Sequence, residues 1–175
     1  NTAGDYYGGL YGYADAFCHF QIEDNLVMGN TAAQDYGGLY VATRNGANGT
    51  FDRNRLIGNQ AQGWGAGLLR FDQRSTTTFN DNLFRGNVAT VSDYGGPDLN
   101  VDDHSRLTGH NLTIEANRAL VNQGGGTIDV DDHAFADLHG ISVIGNAAGA
   151  DYGGIYFDLY DGDGGRLGMD SLYVY

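Results

Sequence analysis

The stretch NTAAQDYGGLYVATRNGANGTFDRNRLIG, residues 30–58, returns in altered form along the whole chain. Its opening Asn-x-Ala recurs at Asn1/Ala3, Asn30/Ala32, Asn59/Ala61, Asn87/Ala89, Asn117/Ala119 and Asn146/Ala148. Successive Asn residues stand 29, 29, 28, 30 and 29 positions apart. A fixed period of that size is the signature of a solenoid, whose units stack because none can bury its apolar face alone. The rungs run 1–29, 30–58, 59–86, 87–116, 117–145 and 146–175, a single domain.

Within a rung the apolar residues alternate or come in short runs, and no 3.6-residue period lasts ten positions. The pattern predicts two or three short strands per rung, joined by Gly/Asn/Asp turns. Three residues before each new Asn stand Val27, Leu56, Phe84, Ile114 and Val143, with Val174 in step. Eight before it stand Ile22, Phe51, Phe79, Gly109, Leu138 and Met169. Both columns are expected to face inward. Glu23, Asp52, Asn80, His110, His139 and Asp170 lie between them and are expected to face out, as pleating requires. Leu99/Val101, Ile128/Val130 and Phe157/Leu159 alternate in the same way with polar neighbours. Equivalent residues stacked once per rung imply an all-β parallel β-helix, a column about 29 Å long at about 4.8 Å per rung. Two-residue hairpin signals are missing, which argues against an up-and-down barrel or a propeller.

The Asn heading each rung (Asn1, Asn30, Asn59, Asn87, Asn117, Asn146) reads as a structural ladder, because a side-chain amide both donates and accepts. A second column, Asn25, Asn54 and Asn82, gives way to Leu112, Ile141 and Leu172. Asp-Tyr-Gly-Gly recurs at Asp35–Gly38, Asp93–Gly96 and Asp151–Gly154, with an extra Tyr at Asp5–Gly9. Its glycines suggest a turn with positive φ, and its rings suggest an aromatic stack or a row that binds sugars. No Lys or helix follows, so it is not a phosphate loop.

Composition narrows the partners. The net charge is −13, from 22 acids and 9 bases, all Arg. That surface repels nucleic acid and anionic membranes and suits cations. No run of 18 apolar residues exists to span a membrane. The single Cys18 excludes an internal disulfide and reads as a buried, inert thiol.

The sharpest chemical feature is acidic. Asp102-Asp103-His104 returns as Asp131-Asp132-His133, and the next rung supplies Asp158, Asp161 and Asp163. With Asp129, these carboxylates form a candidate Ca2+ site, the alternative being a solvated acidic face. The pairs His104/His133 and His110/His139 could hold a transition metal, but their spacing also marks them as rung echoes. For a polysaccharide-degrading enzyme, Asp102, Asp131 and Asp158 would supply acids, and Arg70 and Arg74 a base or clamp. The rungs vary too little in length to build groove walls, so no catalytic residue is assigned. Thr76-Thr77-Thr78 occurs in one rung only, too little for an ice-binding array. Asn48-Gly49-Thr50 and Asn111-Leu112-Thr113 are glycosylation sequons, with Asn48 the better surface candidate.

Gly-Gly-Leu-Tyr (8–11 and 37–40), Gly-Gly-Ile-Tyr (153–156) and Phe-x-x-Asn (51–54 and 79–82) resemble the alternating motifs of polymorphic outer membrane protein repeats. More broadly, the chain resembles the right-handed parallel β-helices of bacterial autotransporter passengers and adhesins. The resemblance implies a right-handed coil and an extracellular or cell-surface location. The chain begins and stops within the pattern without evident caps. The expectation is a longer solenoid or end-to-end stacking with further rungs or copies of itself. The expected function is an extracellular structural fibre or adhesin stalk, possible partners being glycans. The alternative is a polysaccharide-binding or polysaccharide-degrading β-helix.

Overall fold

The computed structural model describes residues 1–159 and 164–175. Among these every regular element is a β-strand, and every strand pairing is parallel. Three sheets run along the column. The first stacks the Asn-x-Ala corners, from Thr2–Ala3 to Ala147–Ala148. The second stacks Leu10–Ala14, Leu39–Thr43, Gly67–Phe71, Pro97–Val101, Thr127–Val130 and Tyr156–Leu159. The third stacks the closing segments, from His19–Glu23 and Leu26–Met28 to Arg166–Val174.

The repeat sets the register. Leu69 pairs with Val41 and Leu99, and Phe84 with Leu56 and Ile114. These columns meet in one core in which Phe51 and Phe79 stack 5.3 Å apart. Ile22 is only partly buried, while Met169 and Val174 are 38% and 59% exposed, because terminal rungs are covered on one side only. Asp52, expected outside, is 8% exposed and accepts hydrogen bonds from the backbone and side-chain amides of Asn80. Cys18 is exposed, contrary to expectation, because it closes a surface turn instead of entering a strand.

The first four rungs hold four strands each, one more than expected, because the third sheet is broken at a corner. That corner follows a residue with positive φ: Asp24, Arg53, Asp81 and Asn111. In the last two rungs the two short strands become one, Phe135–Ile144 and Arg166–Val174, although Gly140 and Ser171 keep the positive φ. Loss of the corner Asn is not the cause, since rung four has Leu112 there and stays divided.

Sheets two and three are joined by two-residue turns with both central residues left-handed: Ala16-Phe17, Asn45-Gly46, Gln73-Arg74, Asp103-His104 and Asp132-His133. Each closes with a hydrogen bond across four residues, as from the Ala47 N–H to the Arg44 carbonyl at 3.0 Å. This is type I′ geometry, a hairpin turn used between sheets of a parallel coil. This corrects the reading that two-residue hairpin signals are missing: Asn45-Gly46 is such a signal, and the equivalent turns carry less suited residues that stacking against the neighbouring rung holds in place. In Asp-Tyr-Gly-Gly the positive φ falls on the ring residue in three copies (Tyr7, Tyr36 and Tyr152, 57–63°) and not on the glycines. Gly37 and Gly38 are needed for space, since a Cβ there would strike the backbone of Gln60 and Ala66 in the next rung.

Candidate cation-binding face

Two columns point outward from the second sheet. One runs Tyr11, Tyr40, Leu68, Asp98, Thr127, Tyr156. The other runs Tyr13, Ala42, Arg70, Asn100, Asp129, Asp158. The face therefore changes along the column from aromatic to acidic. Arg70 divides the two parts and is occupied by Asp72 at 3.3 Å and Asp102 at 3.4 Å. Among the described residues no Arg or His pairs with Asp98, Asp129 or Asp158.

An aromatic stack covers this face. Tyr7, Tyr36, Trp64 and Tyr94 lie ring on ring at 5.4, 5.3 and 5.2 Å. Trp64 donates its indole N–H to Asp98 Oδ2 at 2.8 Å. The Tyr94 phenol is pushed up to about 12 by burial, then by the charges of Asp98, Asp93, Asp129 and Asp158. At the next rung the aromatic column is interrupted by Gln123, whose Oε1 is buried without a partner. Thr127 Oγ1, Asn100 Oδ1 and Asp129 Oδ1 are likewise buried and unpartnered, and Thr127 is only 5% exposed. The Asn100 amide donates to the other Asp129 oxygen at 3.2 Å.

The electrostatics follow from this placement. Burial pushes the Asp98 carboxyl up to about 6. Asp129 rises to about 7, by burial first and then by the charges of Asp131, Asp158 and Asp98; Asp131 also shares a hydrogen bond with it. Crowded carboxylates and orphaned neutral oxygens form a donor set of oxygen alone, the set that hard cations such as Ca2+ prefer.

The expected Ca2+ ligands thus divide. Asp129, Asp131 and Asp158 belong to this face. Asp102 is committed to Arg70 and to the Asp103 N–H at 2.8 Å. Asp103 and Asp132 sit at the tips of I′ turns beside His104 and His133. Asp161 and Asp163 lie outside the described residues. His110 and His139 are in register, but His110 faces Asp81 at 3.6 Å and His139 faces Asp170 at 3.0 Å. Asp98, Thr127 and Gln123 were missed. The available signal was Gln123 itself, which interrupts an aromatic column that resumes at Tyr152.

Arg53 bridges Glu23 and Asp24, both at 2.8 Å. The Thr50 hydroxyl and then Arg53 hold Glu23 below the usual carboxylate range, and Arg53 does the same for Asp24. Both sequon residues are exposed: Asn48 contacts His19 at 3.1 Å, and Asn111 donates to Asp81 at 2.8 Å. A shallow groove of about 680 Å3 runs along the turns, lined by residues that include Asp15, Phe17, Asn45, Arg74 and Asp103. Comparison of the chain with protein-family models, curated proteins and solved structures gives no match in any of the three. The parallel β-solenoid therefore rests on its own geometry.

Proposed function

We propose that the chain is a structural rod outside the cell: a segment of a β-helical fibre or adhesin stalk. The observation that carries this reading is the unbroken Asn ladder. From Asn1 to Asn146 each amide donates to the next at 2.9–3.0 Å, through rungs of 28 to 30 residues. Such a ladder stiffens the column along its axis and does nothing for a cleft. The lateral turns stay short, and the groove along them is shallow. The Gly-Gly-Leu-Tyr and Phe-x-x-Asn motifs support placement at the cell surface as a passenger.

The last rung supports axial extension. On it Met169 and Val174, of the two inward columns, are 38% and 59% exposed. A second copy stacked on this end would cover them. The oxygen-only face supports a rod that takes up Ca2+ from a saline exterior.

Electron microscopy of the purified chain at rising concentration tests the reading. Filaments growing in steps of about 29 Å are expected. Compact particles that depolymerise a polysaccharide would overturn it in favour of an enzyme.

A further inference from the structure

We propose that the stacked turn tips Asp103-His104 and Asp132-His133 bind a divalent transition-metal ion. The site is separate from the oxygen-only face and does not depend on the rod reading.

The geometry begins with the backbone. Asp103 and His104 have φ of 44° and 60°, and Asp132 and His133 have φ of 39° and 60°, so the two tips share one conformation. The Ser105 N–H closes the first turn on the Asp102 carbonyl at 3.1 Å, and the Ala134 N–H closes the second on Asp131 at 2.9 Å. The His104 N–H then bonds the Asp132 carbonyl at 2.9 Å, fixing one tip upon the other. The backbone positions that carry the four side chains are thereby fixed relative to one another.

The donors are already gathered. One ligand atom each from Asp103, His104 and Asp132 lies within 4.8 Å of the others. His104 Nδ1 is 3.1 Å from Asp103 Oδ1, and His133 Nδ1 is 3.2 Å from Asp132 Oδ1. Neighbouring ligands of an ion with bonds of about 2.1 Å stand about 3 Å apart when the angle between them is near a right angle. Each tip therefore offers a nitrogen–oxygen bite of the right span. The two imidazoles stack 5.0 Å apart at 8°, and from the second tip it is Asp132 that reaches the first bite. His104 is about half exposed, so an ion can enter without opening the coil.

The donor types choose the metal. Carboxylate alone suits Ca2+ or Mg2+, whereas imidazole with carboxylate suits Zn2+, Ni2+ or Cu2+. Two carboxylates also balance the charge of a divalent ion. The other turns serve as internal controls: Ala16-Phe17, Asn45-Gly46 and Gln73-Arg74 stand in the same two positions without a carboxylate–imidazole pair.

Zn2+ titration of the full chain by calorimetry, in buffer containing excess Ca2+, tests the site, with Cu2+ as the paramagnetic probe. One ion per chain is expected, with a Kd on the order of 1 μM or tighter, and a Cu2+ spectrum showing nitrogen coupling. His104→Asn and Asp132→Asn should each weaken binding at least about tenfold, a loss of one donor. Asn tolerates the left-handed tip, so both variants should keep the fold, checked by an unchanged melting temperature without metal. His110→Asn and Asp129→Asn should leave Zn2+ affinity unchanged. Absence of saturable binding would overturn the proposal, as would binding indifferent to His104→Asn and Asp132→Asn, or binding lost in His110→Asn.

Discussion

Asn59 donates one amide hydrogen to Oδ1 of Asn87 at 3.0 Å and the other to the Val27 carbonyl at 2.9 Å. Asn87 Oδ1 also accepts the Asn59 backbone N–H at 3.0 Å. Both donors of the Asn59 side chain and both lone pairs of the Asn87 oxygen are thus used in a place closed to water. Asn87→Ala would strand two buried donors of Asn59 and remove the donor to the Leu56 carbonyl at 2.9 Å. At about 1–3 kcal/mol per stranded group, the loss should reach about 3–5 kcal/mol. Denaturant midpoints at unchanged slope measure it. Exposed Asn48→Ala should stay within about 0.5 kcal/mol. A loss under about 1 kcal/mol for Asn87→Ala would show that the ladder is not a main source of stability.

The residue before each ladder Asn is left-handed: Gly29, Gly58, Gly86, Ala116 and Gly145. A Cβ at Gly58 would meet nothing within 4 Å, so glycine is there for its φ of 61° alone. Ala116 carries the same conformation, φ 53°, with a Cβ. Ala116→Gly should therefore stabilise the protein by about 1 kcal/mol, and Gly58→Ala should cost about as much. Opposite signs at equivalent positions are the result to look for in melting curves. Equal signs would mean that packing, not φ, governs this corner.

The repeat made the coil, the register and the Asn ladder legible, because a single period places every equivalent residue in one column. What stayed hidden depended on direction within a rung. Asp129 and Asp132 are three apart in sequence, yet one points off a strand beside Asp98 and the other tips a turn beside His133. Chain distance alone does not reveal that separation. Asp98 itself has no acidic neighbour in sequence and acquires its company only through the register. Cys18 looked apolar in context, yet turn geometry, not neighbouring residue type, decides its exposure.

Tyr36 is pushed up to about 12, by burial within the aromatic stack first and then by Asp35. A folded-state pKa above the unfolded value of about 10 means that the native chain holds its phenolic proton longer. The stability this contributes is complete below pH 10 and is lost as pH rises towards about 12. Titration at 295 nm should show a late class of tyrosines among the 12 in the chain. Tyr36→Phe should shrink that class. If all tyrosines ionise together near pH 10, the stack does not shield them.

The acidic face predicts a response to Ca2+ that the turn tips do not share. Asp98, Asp129 and Asp158 have no cationic partner among the described residues, and the orphaned oxygens of Thr127, Asn100 and Gln123 lie on the same stretch of the sheet and its cover. An ion that binds only the folded state at about 100 times its Kd adds about 2.7 kcal/mol. For a chain of this size that raises the melting temperature by on the order of 5–10 °C. The rise should be seen at pH 8, where competition from protons is weakest, and chelator should reverse it. Asp129→Asn should abolish it, because it removes one charge from the column while keeping the shape that accepts from Asn100. His104→Asn should leave it intact. A melting temperature indifferent to chelator, or a Ca2+ response equal in Asp129→Asn and the unaltered chain, would make this face a solvated acidic surface.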